Sequence, residues 1–326
     1  MRVSLNELQA TARVVSLPLR VPFRGIQHRE ILLFEGPAGW AEWSPFLEYP
    51  DAEAAFWLRA GLEFASRPAS DLVVASIAVN ATLPAVEPDQ VAEALAPFGS
   101  FEVVKIKVAE PHHRHNEDLA RIRRVRDLYP EARIRLDANG GWSLQAAERM
   151  AIVTQQFGVP LEYLEQPVRT LDEMVRLHEL VAPIGVKIAA DELIRKAADP
   201  LEVSRAGAAD LIVVKAQPLG GIDAALALVA ESGLPAVVSS ALESSVGLAM
   251  GLELAASLGG EYASGLGTAA LLAEDITDEP LLPENGRLTV RRVTPSVEKL
   301  ERFAADAERT AWWLERLERC YRLLEA

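Results

Sequence analysis

Short apolar runs recur from residue 76 onward, and five in succession close on a charged or amide residue. The expected strands are Val79–Pro84, Glu102–Val108, Ala132–Asp137, Leu161–Glu165, Val186–Asp191, Asp210–Lys215, Ala236–Ser240 and Tyr262–Leu266. Between them lie stretches such as NEDLARIRRVRDLY, SLQAAERMAIVTQQF, TLDEMVRLHEL and GIDAALALVAESG, whose apolar residues repeat at three and four, the helical spacing. Eight strands with mostly 20 to 30 residues between successive starts predict repeated βα units, in either an open doubly wound sheet or a barrel. The polar closings decide: Lys105 and Lys107, Asp137 and Asn139, Glu165, Asp191, then Lys215. A barrel gathers the C-terminal ends of all its strands on one rim, whereas an open sheet spreads them along an edge.

The flanks read differently. Residues 1–75 are strand-rich and predict a small α+β capping domain. ATARVVSLPLRVPF divides into two short strands at Pro18 and Pro22, and REILLFEG and GWAEWSPF flank a Gly-Pro-Ala-Gly turn. Asp51 is expected to cap a helix through DAEAAFWLRAGLEFA. The barrel is expected over 76–283, and residues 284–326 return toward the cap. There RLTVRR predicts one more strand, and Ser296 is expected to cap one long helix that packs Trp312, Trp313, Leu317 and Leu323 inward.

Composition removes several classes of function. With 33 basic and 47 acidic residues the chain carries a formal charge of -14, unsuited to nucleic acid or anionic lipid. Its longest apolar runs are too short to span a bilayer. A single cysteine, Cys320, excludes an internal disulfide and any thiolate cluster. The start, with Glu7 and no apolar core, does not read as a signal peptide, so a cytoplasmic enzyme acting on a small molecule is expected, with no obligate protein partner.

Asp137, Glu165 and Asp191 are 28 and 26 residues apart, about one βα unit each, so in a barrel they converge from adjacent strands. Three carboxylates without histidine or thiolate suit a hard divalent ion: Mg2+, with Mn2+ as a substitute. Strand alternation puts Lys105 and Lys107 on one face, and Lys215 lies beyond Asp191 on the other side. Repulsion between cations favours a neutral amine, which makes a lysine a base. The competing readings are helix caps and surface ion pairs for the acids, and a charge-blunted edge strand for the lysines. Small polar turns at Ser239, Ser240 and Ser244, and at Ala263–Thr268 around Gly265, offer hydrogen bonds to a carboxylate; tight turns leading into helices are the alternative. PHHRH, with His112, His113 and His115, reads as a loop, and Arg121, Arg123, Arg124 and Arg126 read as a solvated helix face.

The ordered set of Lys105–Lys107, LDANGGW at Leu136–Trp142, EQP at Glu165–Pro167, AADE at Ala189–Glu192 and VVK at Val213–Lys215 resembles the enolase superfamily. Together with GWAEWSPFLEY at Gly39–Tyr49 it is most similar to the o-succinylbenzoate synthase branch of the muconate-lactonizing subgroup. The resemblance covers nearly the whole chain. It implies a modified (β/α) TIM-type barrel with an α+β capping domain, and Mg2+ held by Asp137, Glu165 and Asp191. It implies that Lys107 removes an α-proton and then protonates a departing hydroxyl, a syn dehydration. Lys215 faces the substrate from the other side, Lys105 lowers the Lys107 pKa, and Asn139 lies in the site. The implied substrate is a carboxylate, 2-succinyl-6-hydroxy-2,4-cyclohexadiene-1-carboxylate, converted to o-succinylbenzoate in menaquinone biosynthesis. Ser239 and Gly265 are expected near the succinyl tail, and Arg24 and Ser44–Phe46 in the cap loops over it. N-succinylamino acid racemase, alone or combined with the synthase, needs the same residues, and a non-catalytic binding barrel is the reading of another class.

Overall fold

The computed structural model describes residues 3–23, 25–68, 74–111, 114–195 and 199–325. Arg24, His112 and His113 lie outside the described residues. The capping module is an antiparallel sheet of β1 (Arg13–Phe23), β2 (Ile26–Gly36) and β3 (Gly39–Trp43), in that order, followed by the helix Asp51–Ser66. β1 runs unbroken through Pro18 and Pro22, contrary to the expected division. It is an edge strand, where a missing N–H is tolerated, and the prolines appear only as a register shift between Pro18 and Phe23.

The barrel begins after β4 (Ser76–Ala78). A parallel sheet runs through β5 (Ala81–Leu83), β6 (Val103–Lys107), β7 (Arg133–Asp137), β8 (Leu161–Glu165), β9 (Ile188–Ala190), β10 (Leu211–Val214) and β11 (Ala236–Val238), each strand beside the next. The expected eighth strand, Tyr262–Leu266, is reduced to two single-residue bridges, Ser264 to Val79 and Gly265 to Ser239. These span the gap between the sheet's edges. The physical reason lies inside the barrel, where buried Arg135 donates Nη1 to the Ala263 carbonyl at 2.7 Å and to Asn80 Oδ1 at 2.8 Å. Arg135 also ion-pairs with Glu162 at 2.5 Å and stacks on Tyr163. The Ala263 carbonyl is thus spent on a side chain rather than on a strand neighbour.

Strands β6 to β8 are paired so that their last residues align: Lys107 opposite Asp137, and Asp137 opposite Glu165. Glu165 pairs with Ala189, and Asp191 follows β9 directly. This register places the polar closings on one rim. Helices Leu144–Gln156 and Leu171–Val181 start on side-chain caps from Ser143 and Thr170, and bury Met150 and Met174.

Four other expectations are corrected. Asp51 begins its helix but does not cap it; Pro50 precedes the helix without a cap bond, and the Asp51 carboxylate instead takes Arg319 Nε at 2.6 Å. The C-terminal helix is two helices, Val297–Arg302 and Ala307–Glu325, because Ala304 between them bridges to Val15 of β1. Trp313 and Leu317 are buried as expected, but Leu323 is exposed. Arg121 leaves its solvated face altogether. It is buried, ion-pairs with Asp118 at 2.9 Å, and donates to the carbonyls of Lys107 and Val86. RLTVRR does supply a strand, β12 (Arg287–Thr289), antiparallel to β4.

Candidate active site

The rim carries a buried network of alternating charge. Lys105 Nζ donates to Glu165 Oε1 at 2.8 Å and Oε2 at 3.1 Å, and stands 3.2 Å from Asp137 Oδ2. Lys107 Nζ donates to Asp137 Oδ2 at 2.6 Å and to Asn139 Oδ1 at 2.7 Å. Lys215 Nζ donates to Asp191 Oδ2. Lys105 lies within β6, Lys107 ends it and Lys215 follows β10, so the sheet fixes each root and the side chain adjusts.

The loops that follow the strands are fixed by their own motif residues. In DANGGW, Asn139 adopts φ +45°, donates its amide to Asp137 Oδ1 at 3.1 Å, and donates Nδ2 to Glu192 Oε1 at 3.2 Å. In EQP, Gln166 adopts φ +37°, and its Oε1 accepts the amides of Asp191 at 3.0 Å and Leu193 at 3.1 Å. The glutamine therefore caps the turn that carries the third acid.

Electrostatics follow from burial and these partners. Burial opposes charge on Asp137, but Lys107 and Lys105 hold its carboxyl well below the usual range. Burial likewise opposes charge on Asp191, yet Lys215 and Arg195 keep it low. Glu165 is pushed up to about 7 by burial and by Asp137, against Lys105. Lys105 stays cationic beside Lys107. Burial would lower it, but Glu165 and Asp137 outweigh burial and raise it.

The three acids suit a hard cation, and Asp191 Oδ1 is buried with no hydrogen bond, only a 3.5 Å ion-pair contact with Arg195 Nε. Among the described residues no three acid, histidine or cysteine side chains form a ready-made metal set. The Nζ atoms of Lys105, Lys107 and Lys215 stand among the acids instead. The donor chemistry fits a divalent ion, and a cation there would compete with the lysines for the same oxygens.

A cleft over the rim leaves about 40 Å³ free, room for a few waters. Lys105, Lys107, Lys215, Asp137, Asn139, Ser239 and Gly265 all line it, but Glu165 and Asp191 lie behind the lysines. Ser239 and Gly265 meet closely: a Cβ on Gly265 would stand 2.5 Å from Ser239 Oγ. Ser244 is not in the cleft; it caps the helix Ser245–Leu258.

Of the other lining residues, Phe46 falls in the cap loop where it was expected, while Tyr49, Trp57 and Arg195 were not singled out by sequence reasoning. Phe23, at the end of β1, places its ring 5.5 Å from Lys107 Nζ. Tyr49 and Trp57 come from the cap, with Phe46 between them in edge contact. Arg195 joins the two domains, donating to Tyr49 Oη at 3.2 Å and to Glu192 Oε1 at 3.0 Å. Its position four residues after Asp191, one helical turn, was the available signal.

Residues 14–65 match the family described as enolase N-terminal domain-like, and residues 88–295 match enolase C-terminal domain-like. The chain is 47% identical over 322 residues to the o-succinylbenzoate synthase of Mycobacterium ulcerans (strain Agy99), covering 98% of this chain and 96% of that one. The o-succinylbenzoate synthase of Mycobacterium leprae (strain TN) is also 47% identical, over 98% of this chain and 94% of its own. Among solved structures, muconate lactonizing enzyme from Pseudomonas fluorescens complexed with muconolactone superposes with a TM-score of 0.75 at 21% identity, over 90% of this chain and 98% of that one. Muconate lactonizing enzyme from Pseudomonas putida gives 0.72 at the same identity and coverage. At that identity the likeness is one of fold.

Proposed function

The chain belongs to the o-succinylbenzoate synthase family of the enolase superfamily, and from that premise we propose that the lysine-lined cleft dehydrates 2-succinyl-6-hydroxy-2,4-cyclohexadiene-1-carboxylate to o-succinylbenzoate and water. One observation carries the reading. Lys107 on β6 and Lys215 after β10 line the same cleft, and the acids Asp137, Glu165 and Asp191 close the three strands between them. A planar substrate seated there meets an amine on each side.

Asp137, Glu165 and Asp191 are the residues that would hold Mg2+, with Mn2+ able to substitute. When bound, the ion supplies positive charge against a substrate carboxylate as the neighbouring α-proton leaves. The remaining work belongs to the chain. Lys107, as a free amine, takes the α-proton; its contact with Asn139 Oδ1 aims the nitrogen. The resulting ammonium returns a proton to the hydroxyl departing from the same face. One C–H and one C–O bond break, a ring double bond forms, and water leaves. Lys215 stays an ammonium on the opposite side and balances the developing negative charge. Lys105 bridges Glu165 and Asp137 and keeps two buried acids from repelling one another.

The test is formation of o-succinylbenzoate by purified protein, corrected for spontaneous breakdown of the diene. Turnover lost with EDTA and restored by Mg2+ is expected. No turnover above background overturns the dehydration, and racemisation of N-succinylamino acids, assayed in parallel, then becomes the reading for the same lysine pair.

A further inference from the structure

Two walls of the cleft meet at a seam between β3 and the turn before the helix Ser245–Leu258. On the cap side, β3 passes through Glu42 and Trp43 into Ser44 and the Phe46–Tyr49 wall. On the barrel side, Ser240, Ala241 and Leu242 run along the cleft before the helix Ser245–Leu258 begins. Leu242 is buried at φ +65°, a left-handed conformation that is costly for a branched side chain and must be held from outside.

The holding groups are specific. Arg29 on β2 donates Nε to the Leu242 carbonyl at 3.1 Å and Nη2 to the Ala241 carbonyl at 3.4 Å, and Nη2 also reaches the Ser44 carbonyl. Glu243 accepts the Ala241 amide at 2.6 Å. Glu42, fully buried, spans both sides. Its Oε1 meets Ser44 Oγ at 2.5 Å, and its Oε2 accepts the Ser244 amide at 3.0 Å and Ser244 Oγ at 2.5 Å. Gly247 leaves the room this needs: a Cβ there would stand 2.7 Å from both Glu42 Cδ and Glu243 Cβ.

We propose that Glu42 is a positioning residue, tying β3 to the Ser240–Ser244 turn and so setting the separation of the Phe46 and Leu242 walls of the cleft. Its bearing on turnover rests on the dehydration reading above; its bearing on the seam does not.

Several charged groups face or adjoin it. Glu243 comes from the turn and Arg29 from β2, Lys215 approaches Glu243 from the barrel, and Asp275 takes the Ser245 amide and hydroxyl beside the same helix start. Burial and Glu243 push Glu42 up to about 7, against the hydrogen bonds from Ser244 and Ser44 and the charge of Arg29. A carboxyl protonated on Oε1 donates to Ser44 Oγ, and a glutamine amide at that position does the same. Because the folded pKa lies above the ordinary 4.5, the folded state is penalised progressively as pH rises from about 4.5 to 7. Glutamine removes the penalty.

The test compares Glu42→Ala, Glu42→Gln and Ser244→Ala in the full chain with Mg2+. For Glu42→Ala, a roughly tenfold rise in KM with kcat changed less than threefold is expected, together with tenfold faster amide exchange over 240–246. Glu42→Gln keeps KM within threefold and melts higher than the parent at pH 8, with little difference at pH 5. Folded Glu42→Ala with parental KM and exchange overturns the proposal, as does Glu42→Gln behaving like Glu42→Ala. If Glu42→Ala does not fold, Ser244→Ala decides: a threefold rise in KM and faster exchange are expected, and parental values overturn the proposal. If the parent itself does not turn over the diene, the dehydration reading fails, while exchange and melting still decide the seam.

Discussion

Arg121 donates Nη1 to the backbone carbonyl of Lys107 at 3.0 Å, from a helix that follows the lysine's own strand. The same nitrogen pairs with Asp118 Oδ1 at 2.9 Å, and Asp118 Oδ2 accepts the amide of Ala109, which sits at φ +60°. A buried ion pair therefore clamps both sides of the strand end that carries the proposed base. Removing one member of such a pair costs about 3–5 kcal/mol, because the other is left buried and unpaired. Arg121→Ala is expected to lose that much in urea unfolding. Arg121→Lys keeps the charge but cannot reach Lys107, Val86 and Asp118 together, so kcat is expected to fall further than stability. Parental kcat in Arg121→Lys would show that the clamp does not position Lys107.

Gly265 is required by contact rather than by backbone angle. A Cβ there meets Ser239 Oγ at 2.5 Å and Ser239 Cβ at 3.2 Å. Gly265→Ala is expected to cost about 1–3 kcal/mol as an overpacked site and to raise KM, since both residues line the cleft. Ser239→Ala removes the nearer atom. The double variant is therefore expected to recover part of the stability, and a double-mutant cycle with no coupling would refute the contact.

Much of this was legible because barrel geometry writes itself into spacing. The limits of β8 are those read from the sequence, and Lys107, Asp137 and Glu165 align across adjacent strands as the period implied. What the sequence hid were partners far along the chain. Arg121 reads as one more arginine in a basic helix, and only the fold supplies the Lys107 carbonyl that buries it. Tyr262–Leu266 has the apolar character of a strand, but Arg135, 128 residues earlier, takes its backbone carbonyl. The same holds for Lys105. Two lysines close in sequence suggest mutual repulsion, while the acids of the next two strands reverse the sign.

Lys107 and Lys215 are expected to separate in their effects. Lys107→Ala removes the proposed proton carrier, and loss of a positioned general base costs roughly 10²–10⁴ in rate. Asp137 still keeps Lys105 at 3.2 Å and the Asn139 amide, so the fold and Mg2+ affinity are expected to persist. Circular dichroism and Mg2+ titration check both. Wild-type-like turnover by Lys107→Ala would remove it from the role of base. Lys215→Ala leaves Asp191 with Arg195 as its remaining cation, so it is expected to impair turnover without restoring any when paired with Lys107→Ala.

Cys320 offers a probe of the joint between the C-terminal helix and the cap. It is fully buried, its Sγ lies 3.5 Å from the Asp51 carbonyl, and Trp313 of the same helix packs edge-on against Trp43 of β3. Burial and the nearby Asp51 push its thiol up to about 12, against Arg316 and Arg319. The thiolate is the reactive form, so at pH 8 the folded protein is expected to leave a disulfide reagent such as DTNB unreacted, and guanidinium to release one thiol per chain. Labelling should then track opening of this joint, and ion-pair loss in Arg319→Ala, which leaves Asp51 only its 3.5 Å ion-pair contact with Arg316, is expected to speed it. Rapid labelling of the folded parent would mean that the helix Ala307–Glu325 does not stay docked on the cap.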